Sequence, residues 1–314
     1  MNFSWLTLRD LQYLVAVAQL EHFGRAAEAC NVSQPGLSAQ IKKIEEQLAV
    51  SLFERTNRRM SITKIGKRVV EQAQVVLEEA EKIITLARQD SKPLAGNFRL
   101  GAIATVGPYF LPRVLGPLKK AFPELDLHLR EGLTDPLLED LRSGRLDAVL
   151  ASRTFNERGF KVYPLFTEPL LLMLPKGHRL TTKKPLRIAD LNAAEMTLLE
   201  DGHCLRDETI ETCPQNRRGN IQEFHATSLE TLRYLVANGA GYTLMPALAA
   251  QKDPDGLVIY RPIDTKQVSR TVVLVCRNRF TRKADVEALA DFIRRNLPKT
   301  GSPDAALTPL LNGE

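Results

Sequence analysis

The chain has 314 residues, 44% of them hydrophobic and 25% charged, which is the composition of a soluble globular protein with room for two or three domains. Its formal net charge of +6 allows a polyanionic partner without demonstrating one. No apolar run reaches the roughly 18 residues of a membrane span, and the opening MNFSWLTLRDLQYL lacks the layout of a secretory leader. The chain is therefore read as cytoplasmic, with no membrane partner. Thiols are normally reduced there, so a disulfide should be transient and functional.

Leu8 to Leu20 alternates apolar and polar residues at helical spacing, and a short helix over Gly24 to Ala29 follows. CNVS then reads as a turn, with Ser33 as N-cap and Pro35 in the first turn of the next helix. Leu37, Ile41, Ile44 and Leu48 make its buried stripe; Gln34, Ser38 and Lys42 make a polar stripe beside it. Two short helices on a small-residue turn, the second exposing Gln, Ser and Lys, is the layout of a helix-turn-helix. Gln can pair with adenine edges and Lys can reach guanine or phosphate.

In LFERTNRRMSITKIG, Phe53 and Ile62 can anchor a hairpin with a basic tip over Asn57 to Arg59, a wing. Arg55, Arg58, Arg59, Lys64, Lys67 and Arg68 form the densest basic cluster in the chain, suited to phosphates. A basic run alone is usually a solvated face; here it follows a helix-turn-helix. The expected DNA contacts are Ser33, Gln34, Pro35, Ser38, Gln40, Lys42, Arg55, Arg58 and Arg59.

From 64 to about 90 the pattern predicts one long helix. Val69, Ala73, Val76, Ala80, Ile83 and Ala87 repeat by four and three, a seam suited to pairing two chains. A dimer would present two DNA-reading units to two half-sites. SKPLAG, residues 91–96, reads as a hinge.

From 97 to 298, strand-like and helical segments alternate, which predicts an α/β domain with helices covering a largely parallel sheet. GPYFLPRVLGPLKKAF reads as a proline-interrupted helix, PLLLMLP as a buried strand, and residues 299–314 as a flexible tail. Thr105 and Thr134 stand at strand-to-helix turns, where ligands of α/β sheets bind. A threonine at such a turn is first of all an ordinary cap or turn hydroxyl. No phosphate-binding glycine loop is present, and Cys204, Cys213 and His203 lack the paired spacings of a structural zinc site. No cofactor is expected.

The stretches FGRAAEACNVSQPGLSAQIKKIEEQLAVSLFERTNRRMSITKIG, SGRLDAVLA and LVANGAGYTLMPALA resemble those of LysR-type transcriptional regulators. ATVGPYFLP, LEDGHCLRD and HATSLETLR narrow the resemblance to OxyR-type peroxide sensors. It implies a winged helix-turn-helix (1–63), a dimerising linker helix (64–90) and a two-subdomain regulatory domain like a periplasmic binding protein. It also implies homodimers and homotetramers that bind promoters of antioxidant genes and act with RNA polymerase. By the same resemblance Cys204 reacts with hydrogen peroxide and Cys213 resolves it, while Thr105, Thr134, His203, Arg206 and Asp207 lie in the peroxide pocket. Arg270, in VSRTVVLV, matches an arginine near that site. Cys276 departs from the pattern, and its apolar context suggests a buried strand residue; Cys30 reads as a small packing residue.

With Cys204 in the first turn of a helix CLRDETIETC, the helix dipole, Arg206 and a charged His203 would favour a thiolate, while Asp207 and Glu200 would oppose it. A helix over the segment separates the two α-carbons by roughly 13 Å, whereas a disulfide needs them within about 7 Å. Helix and disulfide exclude one another, which makes the segment a two-state element that cellular dithiols would reset. Pro214 should stop the helix from continuing firmly. The rival readings are a LysR-type regulator that senses a small metabolite near Thr105 and Thr134, its cysteines incidental, and a thiol peroxidase. The DNA-binding domain argues for a regulator and against an enzyme.

Overall fold

The computed structural model describes residues 5–55, 60–87, 92–212, 226–250, 256–264, 268–298 and 306–310. It divides into two compact units, Met1–Ser91 and Lys92–Glu314.

In the first unit α1 (Leu8–Leu20) starts with a capping box, Thr7 and Asp10 each accepting from the other's backbone N–H. His22 Nδ1 caps α2 (Phe23–Ala29), and Ser33 Oγ caps α3 (Gln34–Leu48) by accepting from Gly36 N at 3.2 Å. Leu37, Ile41 and Ile44 of α3 pack with Leu14, Val17 and Ala26 in one buried core. β1 (Phe53–Arg55) and β2 (Met60–Ile62) pair antiparallel with Phe53 opposite Ile62. Glu45 of α3 accepts from Leu52 N at 2.6 Å and Phe53 N at 3.0 Å, which fastens the wing to that helix.

α4 (Lys64–Ala87) follows without a break. Val70 and Ala73 are buried against its own unit, with Val69 and Leu77 packed beside them, while Val76 and Ile83 stay exposed. The apolar seam is thus shared between the unit's own core and an open line. Gly66 is a packing requirement, because a Cβ there would fall 2.1 Å from the Leu52 carbonyl oxygen. Gly66→Ala is expected to destabilise this unit by about 1–3 kcal/mol, the cost of overpacking against rigid backbone, read as a lower thermal midpoint of the full-length protein.

The second unit runs β3 (Gly96–Ile103), α5 (Gly107–Ala121), β4 (Leu125–Gly132), α6 (Thr134–Arg142), β5 (Ala148–Ser152), β6 (Phe160–Pro175), α7 (Cys204–Thr212), α8 (Leu229–Ala237), β7 (Thr243–Pro246), β8 (Val258–Arg261), β9 (Ser269–Arg277), α9 (Lys283–Arg295) and β10 (Thr308–Pro309). β3 pairs in parallel with β4 and β5, but β5–β9, β6–β9, β6–β7 and β6–β8 are antiparallel. The sheet is therefore mixed rather than largely parallel. Helical crossovers join β3, β4 and β5 alone, and the other strands are as apolar as parallel ones because they too are buried.

β6 divides the unit into two lobes. Its first part, Phe160 to Pro169, pairs with β9; its last part, Leu170 to Pro175, pairs with β7 and β8. One lobe is built on β3, β4, β5 and β9, the other on β7 and β8, as expected for two subdomains.

Two details depart from the sequence reading. α5 is continuous despite Pro112 and Pro117, because Phe110, Leu111, Val114 and Leu118 are buried and hold it; tertiary packing outweighs the lost backbone bonds. The tail is partly ordered. Thr308 and Pro309 pair with Thr167 and Phe166, Leu310 N donates to Leu165 O at 2.9 Å, and Leu307 packs on the core. Proline is tolerated on such an edge strand.

Candidate functional site

Asp201 and Gly202 form the turn before α7, with Gly202 in the left-handed region at φ +93°. α7 then begins at Cys204, which is only 6% exposed. Cys204 and Glu208 lie one helical turn apart on one face. That face looks across to the other lobe, where the Ser152 hydroxyl, at the end of β5, donates to Glu208 Oε1. The Thr134 hydroxyl and the Arg270 guanidinium both bear on the Cys204 thiol and favour its charged form. In the resting thiol state, Thr134 Oγ1 is buried without a hydrogen bond of good geometry.

Arg270 is the anchor of the site. Its Nη2 lies 2.7 Å from Glu168 Oε2, with both side chains sealed from solvent. Nη1 donates to Thr105 Oγ1 and Nη2 to the Thr105 carbonyl, each at 2.9 Å. Glu168 Oε1 accepts from Leu248 N at 2.7 Å. Arg270 and Glu168 stand opposite each other in the β6–β9 ladder, so this charge pair sits where the strand passes from one lobe to the next. Neither threonine is a cap: α5 and α6 have no side-chain N-cap bond, and the Thr105 hydroxyl serves Arg270 instead.

Burial pushes the Cys204 thiol up from 9.0 to about 11, and the neighbouring Glu208 carboxylate adds to the rise. Arg270, Thr134 and the backbone at Leu205 oppose it. Glu208 is itself raised by burial, against the pull of Arg270.

These assignments correct three expectations. His203 is not a charged neighbour: burial lowers its pKa, which leaves a neutral imidazole at neutral pH, bonded to the Thr227 backbone. Arg206 does not face the thiol; its Nε pairs with Asp201 at 2.9 Å and its Nη1 donates to the Leu199 carbonyl at 2.9 Å. Asp207 is exposed, and the carboxylate that opposes the thiolate is Glu208. Helix phase is the reason. Position two, Arg206, is turned off the Cys204 face; positions three and four both border it, and of these Asp207 is exposed while Glu208 is clipped to Ser152.

The structure therefore gathers Cys204, Thr134, Thr105 and Arg270, with buried His203 adjoining. It adds Glu208, Ser152 and Glu168, which the sequence reading missed. Glu208 carried a signal in its i+4 spacing from Cys204; Ser152 and Glu168 carried none. Cys213, Pro214, Arg58 and Arg59 lie outside the described residues. Cys276 is fully buried on β9, and Cys30 packs against the first unit's core. Among the described residues no group of three or more His, Cys, Asp or Glu could hold a metal ion, and no helix is long and apolar enough to cross a membrane.

The N-cap Ser33 and, on α3, Gln34, Pro35 and Lys42 are exposed, while Ser38 is half-buried. Gln40 is not available for base reading, since its Nε2 donates to buried Asp10 Oδ1 at 2.7 Å and ties α3 to α1. Its place three residues after buried Leu37 turns it inward. Arg55 ends the first wing strand.

Two family models match the chain: the bacterial regulatory helix-turn-helix of the lysR family over residues 8–67, and the LysR substrate binding domain over residues 91–298. A hydrogen peroxide-inducible genes activator of Dickeya chrysanthemi is 41% identical over 294 residues, covering 93% of this chain and 96% of the relative. Full-length OxyR from Pseudomonas aeruginosa, a cysteine-to-aspartate variant, superimposes with a TM-score of 0.83 at 38% identity, covering 93% and 96% of the two chains. The oxidised form of OxyR matches with a TM-score of 0.59 at 39% identity, over 66% of this chain and 98% of that one.

Proposed function

This chain belongs to the LysR family of bacterial transcriptional regulators, and from that premise we propose that it senses hydrogen peroxide through Cys204 and signals by a reversible Cys204–Cys213 disulfide. Support comes from the relative named for peroxide-inducible genes and from the similar protein solved in an oxidised form. In the first step Cys204 attacks peroxide, giving a sulfenic acid and water. In the second, the Cys213 thiol displaces that hydroxyl as water and the S–S bond forms.

One observation carries the reading: α7 is helical from Cys204 through Thr212. Eight rises of 1.5 Å set the α-carbons of those two residues roughly 12 Å apart. The next α-carbon is about 3.8 Å from that of Thr212, so while the helix stands Cys213 cannot bring its own nearer than roughly 8 Å to that of Cys204. The disulfide limit is about 7 Å. Oxidation therefore has to unwind α7.

The helix is lightly held. It has nine residues, too few to stand alone in water. Thr209 and Thr212 bond back to the carbonyls of Leu205 and Glu208, both at 2.7 Å, a pattern that weakens helices slightly. Its buried anchors are Cys204, Leu205 and Thr209, together with the Ser152–Glu208 clip. Unwinding breaks that clip, and the changed segment is what we expect to reposition the DNA-binding dimers.

The remaining partners fit this reading: double-stranded promoter DNA against Gln34, Ser38, Lys42 and the wing arginines, RNA polymerase, cellular dithiol reductants, and a second and fourth copy of the chain. The exposed Val76 and Ile83 of α4 support pairing. Thr105 and Arg270 order the pocket wall, Thr134 stands ready to bond a thiolate or peroxide, and His203 adjoins as a neutral imidazole. Arg206 and Asp207 are assigned to holding the turn and to the surface.

The test is peptide mapping with hydrogen exchange before and after peroxide. We expect a Cys204–Cys213 linked peptide and a loss of amide protection across 204–212. A linked peptide with protection unchanged would show that the disulfide forms without unwinding, and the mechanism would fail.

A further inference from the structure

We infer that Glu208 is the proton carrier for Cys204: its carboxylate takes the thiol proton as sulfur attacks peroxide, and returns it to the departing hydroxide. The inference rests on the peroxide-sensing reading above. Three observations lead to it. Glu208 lies one turn beyond Cys204 on the face of α7 that meets the other lobe. Its Oε1 is held by the Ser152 hydroxyl, which fixes the carboxyl group. Its Oε2 is sealed from solvent with no hydrogen-bond partner, an acceptor left open inside the site.

Charge balance supplies the reason. The ionisable groups bearing on Glu208 are Arg270 from β9, Glu168 from β6, and Cys204 and Glu211 from its own helix; Ser152 of β5 adds a hydroxyl. Arg270 and Glu168 neutralise each other at 2.7 Å. Cys204 and Glu208 are left to divide whatever protons remain. Burial raises the pKa of both, so charge on either is disfavoured and a second negative charge beside the first more so. Passing a proton from sulfur to the Glu208 carboxylate changes no net buried charge and therefore avoids the penalty that keeps the thiol protonated. His203 is placed differently, outside α7, with its ring on the Thr227 backbone and Glu200 as its charged neighbour.

The step balances. An S–O bond forms and the peroxide O–O bond breaks, with sulfur supplying the electron pair. The distal oxygen takes the proton from Glu208 and leaves as water. Cys204 ends as a sulfenic acid and Glu208 as the carboxylate it was.

Full-length Cys213→Ser protein, in which the reaction stops at the sulfenic acid, is the parent for the test. Sulfenic acid on the Cys204 peptide is trapped and timed by mass spectrometry across about pH 6 to 9, and alkylation of Cys204 by iodoacetamide is timed in parallel. Iodoacetamide needs a thiolate but no proton for its leaving group. The parent should oxidise at a rate nearly independent of pH, because the singly protonated pair persists between its two titrations. Adding Glu208→Gln, which keeps the size and the Ser152 contact, should slow oxidation at neutral pH by at least about tenfold. The residual rate should rise about tenfold per pH unit with the thiolate fraction. Alkylation should stay unchanged or become faster, since a neighbouring negative charge is gone. A Glu208→Gln protein oxidised as fast as its parent overturns the inference, as does an equal slowing of oxidation and alkylation, which marks a structural role. A parent that forms no sulfenic acid at Cys204 overturns the sensing reading itself.

Discussion

Serine at position 204 is expected to abolish the peroxide response completely. In footprints on candidate promoters, wild-type protein should protect different stretches of DNA before and after peroxide, whereas Cys204→Ser should give the reduced pattern under both conditions. Cys213→Ser separates the two chemical steps. Its Cys204 should still become a sulfenic acid, but with no partner to condense with, α7 has no cause to unwind. Its footprint should remain that of the reduced protein.

The size of this effect follows from the two-state character of the segment. A nine-residue helix anchored by Leu205, Thr209 and one side-chain clip either stands or is pulled apart by a bond that cannot span it. Intermediate geometry has nothing to stabilise it. If wild-type protein gave one footprint under all conditions, a metabolite-sensing regulator would become the better description.

The second large effect is expected at Arg270. Arg270→Met removes the only cation paired with Glu168 among the described contacts, and both side chains are 0% exposed. An uncompensated buried carboxylate typically costs about 3–5 kcal/mol, which for a domain of this size lowers the melting temperature by roughly 6–20 °C. The variant also loses two bonds to Thr105 that join the start of α5 to β9. Arg270→Lys should recover part of the loss, because an ammonium keeps the charge but cannot fork to Glu168 and Thr105 together. The same substitution has a chemical consequence. Arg270 favours the Cys204 thiolate, so Arg270→Met should push the thiol further up and slow its alkylation. Melting curves and iodoacetamide rates on the full-length variants check both effects. A Met variant that melts with the wild type would show that the pair contributes no net stability.

These two sites differ in how far they could be read in advance. Cys204 and its neighbours EDGH and LRDE are contiguous, and a helix over them follows from local signals: a turn at Asp201–Gly202, then residues without a breaker as far as Thr212. The incompatibility of helix and disulfide needs only the rise per residue and the length of a covalent bond. In the first unit the same is true of α1, α2 and α3, whose apolar periodicity and caps at Thr7, His22 and Ser33 are all local. The wing register, Phe53 opposite Ile62, was legible because a short hairpin leaves few alternatives.

Sequence by itself thus determined the helices of the first unit, the wing hairpin and the number of residues between Cys204 and Cys213, since each depends on residues a few positions apart. Tertiary structure alone decided which groups surround Cys204. Ser152 meets Glu208 across 56 positions, Glu168 meets Arg270 across 102, and Thr105 meets Arg270 across 165. It also decided charge: His203 and Arg206 look cationic beside Cys204 in the linear string, yet one is buried and neutral and the other is turned onto Asp201. The strength of an electrostatic interaction depends on distance and on exclusion of water, and folding sets both.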